Sequence, residues 1–388
     1  MTTVEERTAN SDQAAPTFDA VQALLPAIAA RIDEIEHGRR IPPDMVAELK
    51  SAGCFRSLAP RSHGGDENDL ATHMRVLEEL ARTDGSVAWT VMIGAAAPVM
   101  LGMLPSPTFD AIYSAGPDVV VGGTFNPSGF AVPTDGGYMV NGRWTFASGC
   151  QHSDWFIAHC IVDDGRMPPI RMMVVPAADV EIVDTWRVSG LRGTGSHDFT
   201  ITDVFVPDER TFQIGDHSEI DAPVMRVPEL SLSTLMFGAV AIGIAQGALD
   251  EITAMATAKV PAFAMETLAT NPLFRNHLGA IDAELRAARA LVYSEAAAAW
   301  QTAVDRVEFT LVQRARFRAA TTWAVRAAAS VVDVAYTDGG GSSIHEDNPL
   351  QRRLRDIHAL TQHFAIKPDT FTLAGAVLAG QDVDTSFL

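Results

Sequence analysis

Apolar residues near the start of the chain recur at the spacing of a helix. In FDAVQALLPAIAARIDEIE they stand three and four residues apart, and apart from Asp19 the charged residues lie at the far end. PPDMVAELKSAGCF begins with prolines and carries a glycine near its end, and LATHMRVLEELARTD is amphipathic. This spacing and these end signals are typical of helices, so the pattern predicts a helical N-terminal region.

The apolar period changes from helical spacing to alternation near Pro117. Between residues 118 and about 208, the runs VVVGGTF, YMVNGRWTF, WFIAHCIV, RMMVVP and FTITDVFVP alternate or are short and β-branched. Turn residues separate them, as in PTDGG and VDDGRMPP. Such runs between turns are typical of strands, and the region is too long and too regular to be a loop.

Helical spacing returns after Glu229 and continues to the end. LSLSTLMFGAVAIGIAQGALDEITAMATA is apolar on most sides, and two further long stretches are rich in Ala and Arg, as packed bundle helices are. The loop TDGGGSSIHEDNP and the stretch KPDTFTLAGAVLAG follow. This order predicts an α+β fold in segregated regions, divided into a helical domain at 1–116, a β-domain at 117–225 and a helical bundle at 226–388.

One uncharged stretch, at 86–109, is long enough to span a bilayer. Glycines and prolines interrupt it, and no cluster of Lys or Arg flanks it. We therefore expect a buried central helix of a soluble core.

Composition and charge limit the classes of function. The chain has 388 residues, of which 47% are hydrophobic, and its formal net charge is −19. These values are typical of a globular protein, and the acidic charge speaks against nucleic acid or an anionic membrane as a partner. The three cysteines form no CxxC pair, and the N-terminus lacks the layout of a signal peptide. We therefore expect a reducing, cytoplasmic location.

Two glycine-rich stretches invite comparison with nucleotide-binding motifs. DGGGSS, at 338–343, offers amides to a phosphate, but it lacks the GK[ST] ending of a P-loop, and its pattern favours a flexible connector. GLRGTGSHDF, at 190–199, has the order G-x-x-G-x-G and leads into a strand, so it predicts a strand-joining loop and no Rossmann site. The histidines show no metal-ligand spacing, and we expect no metal site.

The stretch RDIHALTQHF, at 355–364, holds two histidines five residues apart. This separation turns the second side chain by about 140° from the first, so His358 and His363 are not a zinc pair. In a continuous helix, one apolar stripe predicted to face the bundle is formed by Leu350, Leu354, Ile357, Thr361 and Phe364. His363 then points away from the stripe, to water or a cleft, whereas His358 flanks it and packs or caps.

Four longer strings carry a family resemblance. They are RTDGSVAW, GRWTFASGCQHSDW, DTWRVSGLRGTGSHDFTITDVFVPDER and DGGGSSIHEDNPLQRRLRDIHALTQH. Together they resemble the acyl-CoA dehydrogenase superfamily, and more narrowly its flavin-dependent monooxygenase branch, over nearly the whole chain. The resemblance implies an N-terminal helical domain, a central β-barrel-like domain and a C-terminal four-helix bundle, in a homotetramer where a neighbouring subunit helps to complete the flavin site.

The resemblance separates two chemistries after the last RD pair. Acyl-CoA dehydrogenases carry a glutamate base there, but HALTQHFAIKP follows Arg355 and Asp356, and the matching place holds His363 and Phe364. Proton abstraction next to a thioester needs a base, so the missing acid argues against a dehydrogenase. In the monooxygenase branch a histidine is the base, which implies that His363 takes the proton of a phenol, with a pKa near 10, for attack on a flavin hydroperoxide.

The resemblance also implies contacts with the flavin. Ser148, in FASGC, matches the position that contacts the reactive ring nitrogen, and with His363 it is a predicted catalytic residue. Phe146 and Ala147 would bring backbone groups to the ring. The other predicted cofactor-binding residues are Trp89, which a core position explains equally well, and Gly123, Thr124, Phe125, Asn126, Gly341, Ser342, His363 and Phe364. Lys259 stands in for a phosphate-binding arginine of the family.

The function implied is the oxygenase component of a two-component monooxygenase that hydroxylates an aromatic or heteroaromatic substrate. Its cofactor would be reduced flavin, FMNH2 or FADH2, with O2 as co-substrate. A separate NAD(P)H:flavin reductase is implied because the chain has no nicotinamide-binding fingerprint. The alternatives are an acyl-CoA dehydrogenase-like flavin enzyme, oxygenation at nitrogen or sulfur, and a non-catalytic helical scaffold that binds a small molecule.

Overall fold

The structure, a computed structural model, describes residues 16–162 and 169–385. The expectation for the extreme N-terminus and part of the VDDGRMPP loop lie outside these residues. The N-terminal region is helical, with α1 at Pro16–Ala30, α2 at Ile32–Gly38, α3 at Pro43–Ser51, α4 at Leu70–Thr83, α5 at Gly85–Ala95, α6 at Ala97–Leu101 and α7 at Ser106–Tyr113. The first stretch, predicted as one helix, is two, because Arg31 (φ −116°, ψ 13°) leaves the helical conformation.

A mixed seven-stranded sheet occupies the middle of the sequence. Its strands are β1 at Val121–Thr134, β2 at Gly137–Ala147, β3 at Trp155–Val162, β4 at Ile170–Pro176, β5 at Glu181–Val183, β6 at His197–Pro207 and β7 at Thr211–Phe212. The order is β5-β6-β2-β1-β3-β4-β7, in which β1 and β3 are parallel. Trp144 anchors the buried face by stacking on Phe199, with ring centroids 5.0 Å apart. The predicted β-region is confirmed.

The C-terminal region is helical again. Its helices are α8 at Glu229–Ala258, α9 at Pro272–Val304, α10 at Leu311–Gly339, α11 at Pro349–Leu360 and α12 at Asp369–Leu378. Within the described residues, α8 is long and apolar enough to cross a membrane, but 89% of its apolar window is buried inside the protein. α4 approaches α8 closely at Gly243, where a Cβ would lie 2.3 Å from the carbonyl oxygen of Glu78. α8 is therefore a core helix.

The helices from both ends of the sequence share one hydrophobic core. Leu77 of α4 and Val91 of α5 belong to the same buried cluster as Ile244 of α8. The sheet has a second core of its own around Trp144 and Phe156. Helices from both ends therefore form one body, and the end of β2 meets it at the candidate site, where Trp89 of α5 donates to Ser148.

Two further predictions about helices need correction. The uncharged stretch 86–109 is mostly buried, as predicted, but it forms α5, α6 and the start of α7 instead of one helix. The apolar stripe does not extend to Thr361 and Phe364, because α11 ends at Leu360 and a 3-10 turn follows at Phe364–Ile366. Arg318 of α10 holds this turn by donating from Nη2 to the carbonyl of Ala365 at 2.9 Å.

Candidate active site

The indole of Trp89 forms one wall of the candidate site. α5 starts after Asp84, whose carboxylate accepts the backbone N–H groups of Ser86 and Val87 at 2.9 and 3.0 Å. One turn later, Trp89 is buried, and its ring stacks on that of Phe237 from α8, with centroids 5.1 Å apart and planes 8° apart. The two flat rings give the site an aromatic surface.

His363 lies in the turn after α11, against these two rings. Its imidazole centroid is 5.7 Å from that of Trp89 and 4.6 Å from that of Phe237. The ring centroid of Phe364 lies 4.8 Å from that of His363, and Phe364 is exposed. The structure therefore brings the predicted base to an aromatic cluster, by means of a turn and not a helix face.

Burial controls the protonation of His363. Desolvation among the aromatic rings lowers the pKa of the imidazole to about 4. The backbone N–H of Ala365 donates to Nδ1 at 3.3 Å. At neutral pH the ring is therefore neutral, with its proton on Nε2 and a lone pair on Nδ1. A negative charge brought next to the ring would raise this pKa and make the imidazole a stronger base.

Ser148 lies where β2 leaves the sheet. Phe146, two residues earlier, has φ +65°, a conformation that costs a residue with a side chain roughly 1–3 kcal/mol. The N–H of Ser148 donates to the carbonyl of Phe146 at 3.0 Å and closes a tight turn. This turn leaves the ring of Phe146 67% exposed, whereas Ala147 and Ser148 are buried. A strained backbone that carries an exposed aromatic ring, next to a buried serine, is suited to the rim of a binding cleft.

The hydroxyl of Ser148 joins the sheet to the aromatic wall. It accepts the indole N–H of Trp89 at 3.0 Å and lies 2.8 Å from the hydroxyl of Ser196. Trp89 is therefore in contact with both predicted catalytic residues, through a hydrogen bond to Ser148 and through an edge-type ring contact with His363. The sequence separates these three residues widely, and the fold places them in one site.

β1 carries a wide bulge at the second predicted flavin-contacting segment. β1 pairs with β3 as far as Thr124 and resumes at Gly129, so residues 125–128 lie outside the regular pairing. His159 of β3 donates from Nδ1 to the carbonyl of Phe125 at 2.7 Å and holds the bulge in place. The bulge leaves the side chains of Phe125 and Asn126 exposed.

The remaining predicted contacts in β1 have local explanations. Gly123 has φ +144°, and a Cβ there would lie 2.2 Å from the carbonyl oxygen of Ile157, so the contact between strands requires glycine. The Thr124 hydroxyl accepts the N–H of Asn126 at 3.2 Å, at the start of the bulge. Both residues therefore shape the segment that carries Phe125.

Lys259, Gly341 and Ser342 form a second group, which we call the phosphate cluster. Lys259, just after α8, donates from Nζ to the carbonyl of Gly339 and to the hydroxyl of Ser342, the latter at 2.9 Å. Gly341 and Ser342 are exposed in the turn after α10. An ammonium group beside exposed amides and a hydroxyl suits a phosphate. No direct hydrogen bond between described residues connects this cluster with Ser148 or His363.

His358 differs from the prediction. It is exposed on α11, and its Nε2 lies 2.8 Å from the carboxylate of Asp333 on α10. The prediction that it packs or caps is wrong, because α11 turns this position outward to solvent. Within the described residues, no group of three or more His, Cys, Asp or Glu side chains is arranged to hold a metal.

Comparison with protein families decides the class of this site. The sequence-family model described as acyl-CoA dehydrogenase, N-terminal domain, matches residues 17–104. The family model described as acyl-CoA dehydrogenase, C-terminal domain, matches residues 235–368. Together they match more than half of the sequence. The chain belongs to the acyl-CoA dehydrogenase family.

Similar members of the acyl-CoA dehydrogenase family are oxygenases. The chain is 33% identical over 365 residues to indole-3-acetate monooxygenase of Pseudomonas putida, which covers 93% of this chain and 94% of the relative. It is 30% identical over 359 residues to the flavin-dependent monooxygenase oxygenase subunit HsaA of Rhodococcus jostii, covering 90% and 94%. The solved structure of XiaF from Streptomyces sp. in complex with FADH2 and glycerol matches with a TM-score of 0.91 and 26% identity over 98% of both chains. The chain is thus a flavin-dependent monooxygenase of this family, which uses reduced flavin and O2.

The residues of this acyl-CoA dehydrogenase family member fit a flavin ring. A flavin needs flat apolar neighbours for its ring faces and polar groups at its edge. Phe146 exposes aromatic surface two residues before the buried Ser148, and Phe364 exposes aromatic surface next to His363. The hydroxyl of Thr90, next to Trp89, is buried without a hydrogen-bond partner among the described residues, so a bound polar group would satisfy it. Apolar faces and unsatisfied polar atoms therefore occur together.

Several residues of the site escaped sequence reasoning. Ser196 contacts Ser148 but lies in GLRGTGSHDF, which was predicted only as a strand-joining loop. The two hydroxyl residues among its glycines were the available signal. His159 reads as one residue of an apolar strand, and nothing in that pattern indicates that it holds the bulge.

Proposed function

We propose that this monooxygenase is the oxygenase component of a two-component system and hydroxylates an aromatic or heteroaromatic substrate. The observation that carries the proposal is the stack of Trp89 and Phe237 with the neutral imidazole of His363 against it. Flat apolar walls suit an aromatic ring, and an imidazole beside them suits a phenol O–H or an indole N–H. The name of the Pseudomonas putida relative, an indole-3-acetate monooxygenase, points to the same class of substrate.

His363 is proposed as the base of this reaction. The substrate O–H proton moves to the imidazole, which becomes imidazolium while the substrate becomes a phenolate. Burial disfavours the imidazolium, as the lowered pKa shows, but the phenolate formed beside it compensates this cost. Nε2 accepts the substrate proton only in the tautomer that carries the ring proton on Nδ1, and adopting that tautomer costs only the 3.3 Å bond from Ala365. His363 is therefore suited to take a proton only when an acidic substrate is in place.

The proposed cofactor is FMNH2 or FADH2, delivered by a separate NAD(P)H:flavin reductase. When bound, reduced flavin supplies the electrons that activate O2 and transfers one oxygen atom to the substrate. Ser148 is proposed to contact the reactive ring nitrogen, and Phe146 and Ala147 to contact the ring through their backbone. Further contacts with the ring are proposed for Trp89, Gly123, Thr124, Phe125, Asn126 and Phe364. The phosphate cluster of Lys259, Gly341 and Ser342 is proposed to bind the flavin phosphate.

A homotetramer in the cytoplasm is proposed as the working form. Phe263 and Met265 are almost fully exposed in the loop between α8 and α9. Large apolar side chains in such positions are typical of contacts with another chain. Lys259 lies at the start of the same loop, so a second copy that covers Phe263 would approach the phosphate cluster. The three buried free cysteines suit a reducing compartment.

The division into domains at 1–116, 117–225 and 226–388 is part of this proposal. β1 begins at Val121 and α8 at Glu229, a few residues inside the proposed boundaries. The separate core of the sheet supports treating the middle region as a unit.

The proposed function is tested with ¹⁸O₂. The purified protein, a flavin reductase, NADH and FAD or FMN are incubated with phenols and indoles under ¹⁸O₂, and the products are analysed by mass spectrometry. We expect one ¹⁸O atom in the product. Hydrogen peroxide release without any oxygenated phenol or indole would overturn the proposal.

The role of His363 is tested by His363→Ala in the same assay. At neutral pH the variant should hydroxylate a phenol about 100-fold more slowly, and the rate should recover as the pH approaches 10, where the phenol ionises without a base. His358→Ala is the matched control, since His358 is exposed on the surface of α11 and should leave the rate unchanged. A full rate at neutral pH in His363→Ala would remove the base from the proposal.

A further inference from the structure

Three hydroxyl groups form a line that ends at Ser148, and we call it the hydroxyl chain. Ser148 Oγ lies 2.8 Å from Ser196 Oγ, which lies 2.7 Å from Thr194 Oγ1. Thr194 Oγ1 donates to the carbonyl oxygen of Leu191 at 2.8 Å, and the indole N–H of Trp89 donates to Ser148 Oγ at 3.0 Å. The three hydroxyl residues are at most 9% exposed, so water does not compete for these bonds.

The two end groups fix the direction of the hydroxyl chain. An indole N–H only donates and a carbonyl oxygen only accepts. Because Thr194 gives its proton to Leu191, it must accept from Ser196, and Ser196 must in turn accept from Ser148. In the opposite direction, the oxygens of Thr194 and Leu191 would face each other as two acceptors 2.8 Å apart. Each hydroxyl proton therefore has one place.

Neither end group is free to rotate. Leu191 has φ +51°, its N–H donates to the carboxyl group of Asp356 at 2.6 Å, and its carbonyl also accepts the indole N–H of Trp186 at 3.1 Å. At the other end, Trp89 is stacked on Phe237. A reversed hydroxyl chain would therefore keep the Leu191 carbonyl facing the Thr194 oxygen, because these contacts prevent the carbonyl from turning away.

We infer that Ser196 and Thr194 are positioning residues that make Ser148 a hydrogen-bond acceptor toward the flavin. Ser148 gives its proton to Ser196 and uses one lone pair for Trp89, which leaves one lone pair. The inference rests on the proposed function, in which Ser148 faces the reactive ring nitrogen, N5. In reduced flavin N5 carries a hydrogen, whereas in oxidised flavin it presents a lone pair.

The direction of the hydroxyl chain thus selects the redox state of the cofactor. The lone pair of Ser148 forms a hydrogen bond with the N5–H of reduced flavin and repels the N5 lone pair of oxidised flavin. An oxygenase that obtains its cofactor from a separate reductase needs this discrimination in both directions. It must capture reduced flavin in the presence of oxidised flavin, and it must release the oxidised form after each turnover.

The test is the ratio of dissociation constants for oxidised and reduced flavin, measured by titration without substrate, in air and under strict anaerobiosis. FMN and FAD are the probes. In Ser196→Ala the proton of Ser148 loses its acceptor and turns toward N5, so we expect the ratio Kd(oxidised)/Kd(reduced) to fall about tenfold. The midpoint potential of the bound flavin should then fall by about 30 mV, the value of a tenfold change for two electrons.

Two variants of Thr194 and one of Ser148 complete the experiment. Thr194→Val removes the far hydroxyl and should lower the ratio as well, whereas Thr194→Ser keeps the hydroxyl and should retain the wild-type ratio. A wild-type ratio in Ser196→Ala and Thr194→Val, together with a changed ratio in Ser148→Ala, would overturn the inference and leave the proposed function standing. If Ser148→Ala changes neither dissociation constant, Ser148 is not at the flavin, and this part of the proposed function fails together with the inference.

Discussion

The backbone of Phe146 stores strain at the rim of the site. Its φ of +65° is a conformation that glycine adopts without a clash, but the position holds an exposed aromatic ring. Such strain persists where the surrounding structure enforces it, and it is typical of functional sites. We therefore infer that the aromatic ring is present for binding, although the backbone conformation at this position would favour glycine.

Phe146→Gly and Phe146→Ala separate the strain from the ring. Both variants lose the aromatic ring, but only glycine relieves the strain. The free energy of unfolding of Phe146→Gly should therefore be about 0.5–1 kcal/mol higher than that of Phe146→Ala. Urea denaturation measures this difference. The two variants should lose flavin affinity to the same extent, and equal stabilities would show that the backbone is not strained.

The imidazole of His363 should remain neutral well below neutral pH. In the flavin-free protein, NMR titration should place its pKa near 4, since packing among the neighbouring rings disfavours the charged imidazolium. Phe237→Ala opens this packing and should move the pKa toward 6.5. Phe130→Ala, which removes an exposed ring on the sheet, serves as the control. A wild-type pKa near 6.5 would contradict the burial argument.

The lowered pKa of His363 also predicts how the stability of the protein changes with pH. Unfolded His363 binds a proton near pH 6.5, whereas the folded protein binds it only near pH 4. Between these values the unfolded state carries more protons, so the contribution of this residue to stability is present above pH 6.5 and is lost as the pH falls toward 4.

Sequence reasoning found the residues of the site that carry a family resemblance. Trp89, Ser148 and His363 were predicted, and the structure brings them together through the indole of Trp89. Ser196 and Thr194 were not predicted, because a hydrogen bond between two loops leaves no periodic pattern in the sequence. Ser148 and Ser196 are 48 residues apart, and only the pairing of β2 with β6 makes them neighbours.

At the scale of elements, α11 holds the loop that carries the hydroxyl chain. Asp356 of α11 is buried and accepts the N–H of Leu191 at 2.6 Å. The backbone of this loop approaches α11 so closely at Gly190 that a Cβ there would lie 2.0 Å from the carbonyl oxygen of Arg355. Burial, together with the nearby charge of Asp84, raises the pKa of Asp356 to about 7.

Asp356→Asn should flatten the pH dependence of stability. Unfolded Asp356 ionises near pH 4 but the folded residue ionises near pH 7, so the stabilisation by the protonated acid is present below pH 4 and is lost as the pH rises to 7. Asparagine keeps an oxygen for the N–H of Leu191 and has no charge to bury. The free energy of unfolding, measured by urea denaturation, should fall between pH 4.5 and pH 7.5 by roughly 3 kcal/mol more in the wild type than in the variant.

The control for Asp356→Asn is Asp333→Asn. Asp333 is half-exposed and pairs with His358 on the surface. Its replacement should therefore leave the change in the free energy of unfolding between the two pH values close to that of the wild type. If Asp356→Asn retains the full wild-type dependence, the buried carboxyl group is not its source.

The periodic elements of the fold were predictable, and their ends were less so. Long helices and the strands with alternating residues were predicted because their patterns are strong over many residues. β5 and β7 were missed, since three and two residues are too few to show a period. The end of α11 was missed because no proline or glycine marks it, and a distant side chain, Arg318, fixes the turn that follows.

At the scale of the whole molecule, the exposed loop between α8 and α9 predicts an assembly. Replacing both Phe263 and Met265 by serine should lower the molar mass in solution from that of a tetramer, because it removes apolar area that another chain would cover. Light scattering coupled to size exclusion measures the mass. Flavin affinity should fall in the same variant, since the loop begins at Lys259 of the phosphate cluster.

The control for this prediction is Val132→Ser, on an exposed position of the sheet. It removes an exposed apolar side chain far along the sequence from the loop and should leave the mass unchanged. A monomeric wild type, or a tetramer that tolerates the double replacement, would show that the loop is not the contact.

The core shared by both ends of the chain affects how the protein is made. α4 ends at Thr83, but α8, on which it packs, is complete only at Ala258, 175 residues later. At ribosomal rates of roughly 5–20 residues per second, α4 waits about 10–35 s for that partner. During this interval Leu77 and Leu80 present an apolar face to water, so the nascent chain should depend on chaperones much more than the finished enzyme does.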